Sequence, residues 1–179
     1  MAILNIPDKN ISIKDPQQIR EYLYDRGIWF DQWRAEESFA PDAGQDVIIK
    51  AYSHVLKPYM DANGYRVADV INVKADTPNL EMLRQKFLKE HIHTEDEVRF
   101  FVDGQGYFWF NLGEGNDVFN VLCQAGDLIS VPANTSHWFD MGNPPFVKAI
   151  RIFIDQSGWV PHYTGSGIDD KYNTKAAQA

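Results

Sequence analysis

HIHTEDEVRFFVDG, residues 91–104, is where the chain changes its grammar. His91 and His93 stand two apart, and on an extended strand residues at that spacing project to one face, so both imidazoles reach the same point in space. Thr94-Glu95-Asp96 is polar and turn-like, and Glu97 opens a run in which Glu97, Arg99 and Phe101 share one face and Val98, Phe100 and Val102 the other. A hairpin about the turn would fold the Glu97 carboxylate back onto the histidine pair. Arg99 then faces wherever Glu97 faces.

Outward from this stretch toward the C-terminus the pattern stays β. GYFWFNLG (106–113), NDVFNVLCQAG (116–126), GDLISVPA (126–133) and FVKAIRIFI (146–154) are short β-branched and aromatic runs set between Gly, Asn, Asp and Pro. That spacing is the signature of an all-β sandwich or barrel. Toward the N-terminus the signals are helical. Asp15-Pro16 reads as an N-cap with proline at the first helical position, Ile19 and Leu23 as an apolar i, i+4 pair, and Gly27 as the stop. A second helix is predicted from about Asp46 to Asn63, closed by Gly64, with Pro58 kinking its last turn. RVADVINVKA (66–75) alternates as a strand, and Asp76-Thr77-Pro78 then caps a third helix carrying Leu80, Leu83 and Phe87. No Pro/Ser-rich linker separates the regions. The expectation is therefore one domain over residues 1–179, with helical elements at about 15–63 and 77–89 packed outside a barrel core at about 66–75 and 91–160.

Composition narrows the function. Of 179 residues, 17 are Lys or Arg and 25 are Asp or Glu, a formal charge of −8, with the basic residues scattered among carboxylates. No basic stripe is present to neutralise phosphates, which argues against nucleic acid and anionic membranes as partners. Residues 1–16 have no basic segment followed by an apolar block, and no 18-residue apolar window occurs, so a soluble, cytoplasmic protein is expected; a monomer is the form expected, although no feature of the sequence fixes the oligomeric state. The lone Cys123 excludes an intrachain disulfide and a Cys-cluster zinc site, and reads as a small apolar side chain in a strand.

Five histidines are present, and beyond the 91/93 pair His137 follows a buried-type strand and a Pro132/Asn134 turn, with Asn134 suited to a left-handed position. Three imidazoles and a carboxylate without thiolate suit a borderline divalent metal such as Fe, Ni, Mn, Co or Zn rather than Ca or Mg. Two surface histidines beside a solvated acidic turn would give the same HxH string. His54, on the second helix, and His162 have no ligand spacing.

His91-x-His93-x3-Glu97-x6-Gly104 resembles the first cupin motif, and Gly126-x5-Pro132-x-Asn134-x2-His137 the second. Gln85, Asn134 and Met141 replace the usual glycine, glycine and asparagine, all away from the ligand positions. KFLKEHIHTEDEVRFFVDG (86–104), DLISVPANTSHWFDMG (127–142) and AIRIF (149–153) resemble the acireductone dioxygenase family of the cupin superfamily. That resemblance implies a mainly β cupin-type barrel (double-stranded β-helix, or jelly roll) with peripheral helices. It also implies one Fe(2+) or Ni(2+) per chain on His91, His93, Glu97 and His137, with acireductone and O2 as the small-molecule partners. The products implied are formate and 4-methylthio-2-oxobutanoate in the iron form, and formate, carbon monoxide and 3-methylthiopropionate in the nickel form. Arg99 is implied as the group that stabilises the substrate dianion, Glu90 and Asp96 as acids supporting the ligands, and Phe87, Phe139 and Trp159 as apolar walls.

Two rival readings share the ligands. A cupin sugar-phosphate isomerase would need several inward cations, and only Arg99 is clearly offered. A non-catalytic cupin that stores metal would have no use for Arg99 beside a complete ligand set.

Overall fold

The computed structural model describes residues 1–34, 39–40 and 42–176. In chain order its strands are β1 (Ile3–Ile6), β2 (Ile11–Ile13), β3 (Trp29–Gln32), β4 (Val67–Lys74), β5 (His91–Ile92), β6 (Glu97–Phe110), β7 (Phe119–Gln124), β8 (Asp127–Val131), β9 (His137–Asp140), β10 (Phe146–Phe153) and β11 (His162–Tyr163). The helices are α1 (Pro16–Tyr24), α2 (Gln45–Ala51), α3 (Ser53–Asn63), α4 (Leu80–Leu88) and α5 (Ile168–Ala176).

The predicted start of α1 holds. The Asp15 carboxylate accepts from Gln18 N at 2.9 Å, Pro16 occupies the first turn, and Ile19 and Leu23 are buried. Gly27, at φ +76°, turns the chain back so that Ile28 N reaches Leu23 O. The second helix is two helices broken at Tyr52, and Pro58 sits inside α3 without ending it. At the break Ser53 Oγ donates to Lys50 O and His54 Nδ1 lies 3.1 Å from Ala51 O, so side chains satisfy carbonyls that a continuous helix would have bonded. The third helix begins later than predicted. Thr77 Oγ1 accepts from Lys74 N at the end of β4, and Asn79, left-handed at φ 56°, precedes α4.

The strands form two sheets that share β6. One runs β11-β5-β9-β6-β7-β1-β2, the other β4-β10-β6-β8-β3. EVRFFVDG and GYFWFNLG, read from sequence as separate strands, are one 14-residue strand. Its first half pairs with β8 and β10, its second with β7 and β9. A bulge marks the crossing: Phe101 faces Ala149 and Asp103 faces Lys148, leaving Val102 unopposed. Gly104 follows at φ +71°, where any Cβ would overlap the Phe146 carbonyl. The bulge reverses the parity of the strand. Phe101 faces the main core before it, and Phe108 and Phe110 face the same core after it.

Hydrogen bonding does not continue round the described residues into a closed ring, so the architecture is a sandwich of two sheets. The main core lies between them, around Phe101, Phe108, Phe110, Phe119 and Phe139. A second cluster, Val98, Phe100, Val102 and Ile150 beneath Ile48, Tyr52 and Leu56, docks α2 and α3 on the outer face. Each buried aromatic of this size contributes on the order of 2–3 kcal/mol of transfer free energy. A third cluster stacks Trp109 on Trp138 under Tyr172 of α5. No described helix is long and apolar enough to cross a membrane.

Candidate metal centre

His91 in β5 stands directly opposite His137 in β9, which brings two imidazoles together across one strand pair. The hairpin expected between residues 91 and 97 does not form, because β5 pairs with β9 and β11 and leaves β6 to pair with β8. Glu97 instead arrives through the 94–96 turn, which the 132–135 turn holds in place. Asn134, left-handed at φ 62° as its residue type predicts, donates its N–H to His93 O at 2.8 Å, and Ala133 N donates to Asp96 Oδ1 at 3.0 Å. One loop thus carries His93 and Glu97 to the β5–β9 pair.

The four residues are buried, and their ligand atoms lie within 4.8 Å of one another. Each imidazole commits its Nδ1–H to a backbone carbonyl: His91 to Lys89 at 2.6 Å, His137 to Thr135 at 2.7 Å, His93 to Val160 at 3.2 Å. A neutral ring with its proton on Nδ1 carries a lone pair on Nε2. Glu97 Oε2 lies 3.1 Å from His93 Nε2 and 3.0 Å from His137 Nε2. Lone pairs therefore converge on one point, an arrangement that repels unless a proton or a cation lies among them. The donor set, three neutral nitrogens and one carboxylate oxygen, fits a borderline divalent ion. Burial holds the His91 imidazole down to about 4, with His137 adding to the shift, so it stays neutral and able to ligate near neutral pH. Burial alone would raise the Glu97 carboxyl, but the Arg99 cation and the two imidazoles hold it well below the usual carboxylate range.

Arg99 faces inward with Glu97, as strand parity predicts, and donates from Nη2 to Glu97 Oε1 at 2.6 Å. Its guanidinium carbon sits 4.4 Å from the Phe139 ring centre, 5.1 Å from Phe108 and 6.0 Å from Trp159. Its Nε is buried without a partner in the protein, a donor left over after Glu97 has been satisfied. Phe108 has no signal in the sequence of the second half of β6, because the bulge hides its parity.

Glu90 is buried, and four side chains donate to it: Asn111 (2.7 Å) and Ser136 (2.6 Å) to Oε1, Thr164 and Ser166 to Oε2. Burial raises its carboxyl, and the four donors together outweigh that and lower it. The Glu90 network borders a polar cleft of about 720 Å³ that also includes Thr135 and Ser136. Asp96 accepts from Tyr65 Oη as well as Ala133 N, and burial together with this bond lifts the Tyr65 phenol well above its ordinary value. Trp159 stacks on His93 with centroids 6.1 Å apart and donates Nε1–H to the Asp96 carbonyl. It also lines a cavity of about 290 Å³ with Lys86, Arg151, Phe153, Val160 and Pro161. Phe87 packs from α4 against the main core. His162 is exposed on β11, and Cys123 is fully buried in the core with its thiol pushed well above its ordinary value.

Against known proteins the likeness extends over most of the chain. The model of the ARD/ARD′ family matches residues 7–161. An acireductone dioxygenase of a Picosynechococcus strain is 53% identical over 172 residues, 96% of this chain and 97% of that protein. One from Granulibacter bethesdensis is 47% identical over 159 residues, 89% and 88% of the two chains. Among solved structures, acireductone dioxygenase from Bacillus anthracis with a cadmium ion in its active centre superposes with a TM-score of 0.82 at 36% identity. That superposition covers 91% of this chain and 98% of the other. A likeness spanning nearly the full length of both partners, in sequence and in cupin fold, places this chain in the ARD/ARD′ family of acireductone dioxygenases.

Proposed function

We propose that His91, His93, Glu97 and His137 hold one Fe(2+) or Ni(2+) and that the protein cleaves 1,2-dihydroxy-5-(methylthio)pent-1-en-3-one with O2 in the methionine salvage pathway. The iron form yields 4-methylthio-2-oxobutanoate and formate. The nickel form yields 3-methylthiopropionate, formate and carbon monoxide. Both outcomes conserve the atoms of substrate plus O2. The observation that carries the reading is the convergence of four buried lone-pair atoms, each imidazole fixed through its Nδ1–H.

When bound, such an ion supplies a Lewis-acidic point that a chelating enediolate can occupy. The chain's own residues do the rest. Arg99 with Glu97 and a divalent ion sum to two positive charges, which favours a dianionic substrate over a neutral ketone. The unpartnered Nε of Arg99 is the donor free to meet a substrate oxygen. Phe139, Phe108 and Trp159 enclose the guanidinium and keep water from screening it. Phe87, Phe139 and Trp159 are assigned as walls for the methylthio tail. Glu90 fixes the segments flanking His91 and His137, and Asp96 fixes the turn between His93 and Glu97. A cytoplasmic monomer is the form proposed.

Anaerobic reconstitution of metal-free protein with Fe(2+) and, separately, Ni(2+), followed by product analysis with acireductone and O2, tests the assignment. Formate in both samples, with carbon monoxide only in the nickel sample, is expected. Uptake of one ion per chain with no formate from either form overturns it.

A further inference from the structure

The three imidazoles are not held alike. His91 and His137 each give Nδ1–H to the carbonyl two residues before them, Lys89 and Thr135, so those bonds are made within their own strand entries. His93 gives its Nδ1–H to Val160, which is 67 residues away. Val160 lies in the segment 155–161 between β10 and β11, directly after a short 3-10 turn over Gln156–Trp159 capped by Asp155, whose carboxylate accepts from Ser157 N.

That segment lies as a strap across the 94–96 turn. Trp159 stacks on the His93 ring at an interplanar angle of 21° and donates its indole N–H to Asp96 O. Asp155 N donates to Glu95 Oε2 at 3.2 Å, and Thr94 Oγ1 lies 3.5 Å from Gly158 O. Gly158 is what lets the strap come this close. A Cβ there would overlap Cγ and Cδ of Glu95 and lie 2.8 Å from its Cβ, so a larger residue must move either the Glu95 side chain, which breaks its bond to Asp155 N, or the strap itself. The same segment lines the 290 Å³ cavity through Trp159, Val160 and Pro161.

We infer that the 155–161 strap is the positioning element of the His93 ring: it takes the ring's Nδ1–H and stacks on its face, while the 132–135 turn holds the His93 backbone and Trp159 of the strap forms a wall of the neighbouring cavity. Displacement of the strap, by substitution or by a ligand entering that cavity, loosens His93 and leaves His91 and His137 in place. The consequence is a centre with one labile ligand, whose hold on the ion depends on what occupies the cavity. The inference rests on the metal reading proposed above.

Zinc(2+), diamagnetic and free of redox chemistry, is the probe. In zinc-loaded wild-type protein the three imidazole Nδ1–H protons should appear in 15N-edited spectra as slowly exchanging signals, assigned through each ring's couplings to its own Cβ and backbone resonances. In Gly158→Ala the His93 signal should broaden or vanish while those of His91 and His137 persist, and zinc release to excess EDTA should quicken about tenfold or more. Trp159→Phe keeps a ring on His93 and removes only the indole bond. It should fold normally and show the same selective change, smaller in extent, so the inference does not hang on one variant. If both variants retain the wild-type His93 signal and release rate, or if all three imidazole signals change together, the strap does not position His93 and the inference is overturned. If wild-type protein takes up no zinc, the metal reading itself fails, and this inference with it.

Discussion

Arg99 donates to Oε1 of Glu97 at 2.6 Å, while Oε2 of the same carboxylate faces His93 and His137. One carboxylate therefore joins the only cation of this strand to two of the three imidazoles, so a change at Arg99 should reach the proposed ligand set as well as whatever binds beside the guanidinium.

Arg99→Ala should lower turnover by a factor on the order of 100 or more, because in the proposed reaction it removes the buried charge opposite the substrate dianion. Metal content near pH 7 should stay close to one ion per chain. The Glu97 carboxyl, released from its cation, should rise, so half of the metal is lost at a higher pH than in wild type. Arg99→Lys should restore only part of both, since an ammonium lacks the planar fork. Wild-type turnover in Arg99→Ala, measured at matched metal content, removes the residue from the chemistry.

His91→Ala, His93→Ala and His137→Ala should each lower metal occupancy and turnover together, each having removed one of four converging atoms. Elemental analysis of the purified variants decides the matter. Full occupancy with full turnover in any of them excludes that ligand.

Metal-free protein should lose stability as the pH falls from 6.5 toward 4. The His91 imidazole ionises at about 4 when folded and near 6.5 when unfolded, so between those values the unfolded chain binds the extra proton. The slope is at most about 1.4 kcal/mol per pH unit for this group, or about 2 kcal/mol between pH 7 and pH 5. Urea unfolding at both pH values should show that part of the loss absent from His91→Asn. An unchanged pH slope in the variant would show that His91 titrates normally.

Gly106 lies on β6 against the edge of Phe139, and a Cβ added there would overlap Cζ of that ring and lie 2.6 Å from Cε2. Gly106→Ala should push Phe139 toward the Arg99 guanidinium beneath which it packs. Overpacking of this kind costs about 1–3 kcal/mol. Turnover should fall with metal content intact, and Gly106→Ala/Phe139→Leu should recover stability. A variant as stable as wild type would mean that the ring has room to yield.

Glu90→Gln should cost about 2–3 kcal/mol, since four donors lose a charged acceptor and an amide N–H₂ meets them instead. Thermal unfolding reads the loss. Destabilisation below about 0.5 kcal/mol would show that the network re-forms around the amide.

The proposed ligand set was legible because it is written in the period of two that an extended chain imposes and in four residues, three His and one Glu, with little other reason to cluster. Inward Arg99 followed from the same parity. The hairpin was misjudged because sequence adjacency of β5 and β6 says nothing of which strand each pairs with, and His91 finds His137, 46 residues on. Phe108 stayed hidden because a single unopposed residue, Val102, reverses the faces of everything after it. β1, β2 and β3, of three or four residues each, are too short to show a period. The Val160 carbonyl carries no side-chain signal at all.

Because β6 belongs to both sheets, neither sheet can come apart while the other stays whole. Removing β6 from β7 and β9 strips Phe108 and Phe110 from the main core, and removing it from β8 and β10 takes away the bulge at Val102 and the pairing that holds Glu97. The two halves of the sandwich are therefore one cooperative unit, and the backbone amides of β6 should open only in global unfolding. The strand that aims Glu97 and Arg99 is also the one on which β7, β8, β9 and β10 all converge, so the geometry of the site and the joining of the two sheets depend on the same fourteen residues.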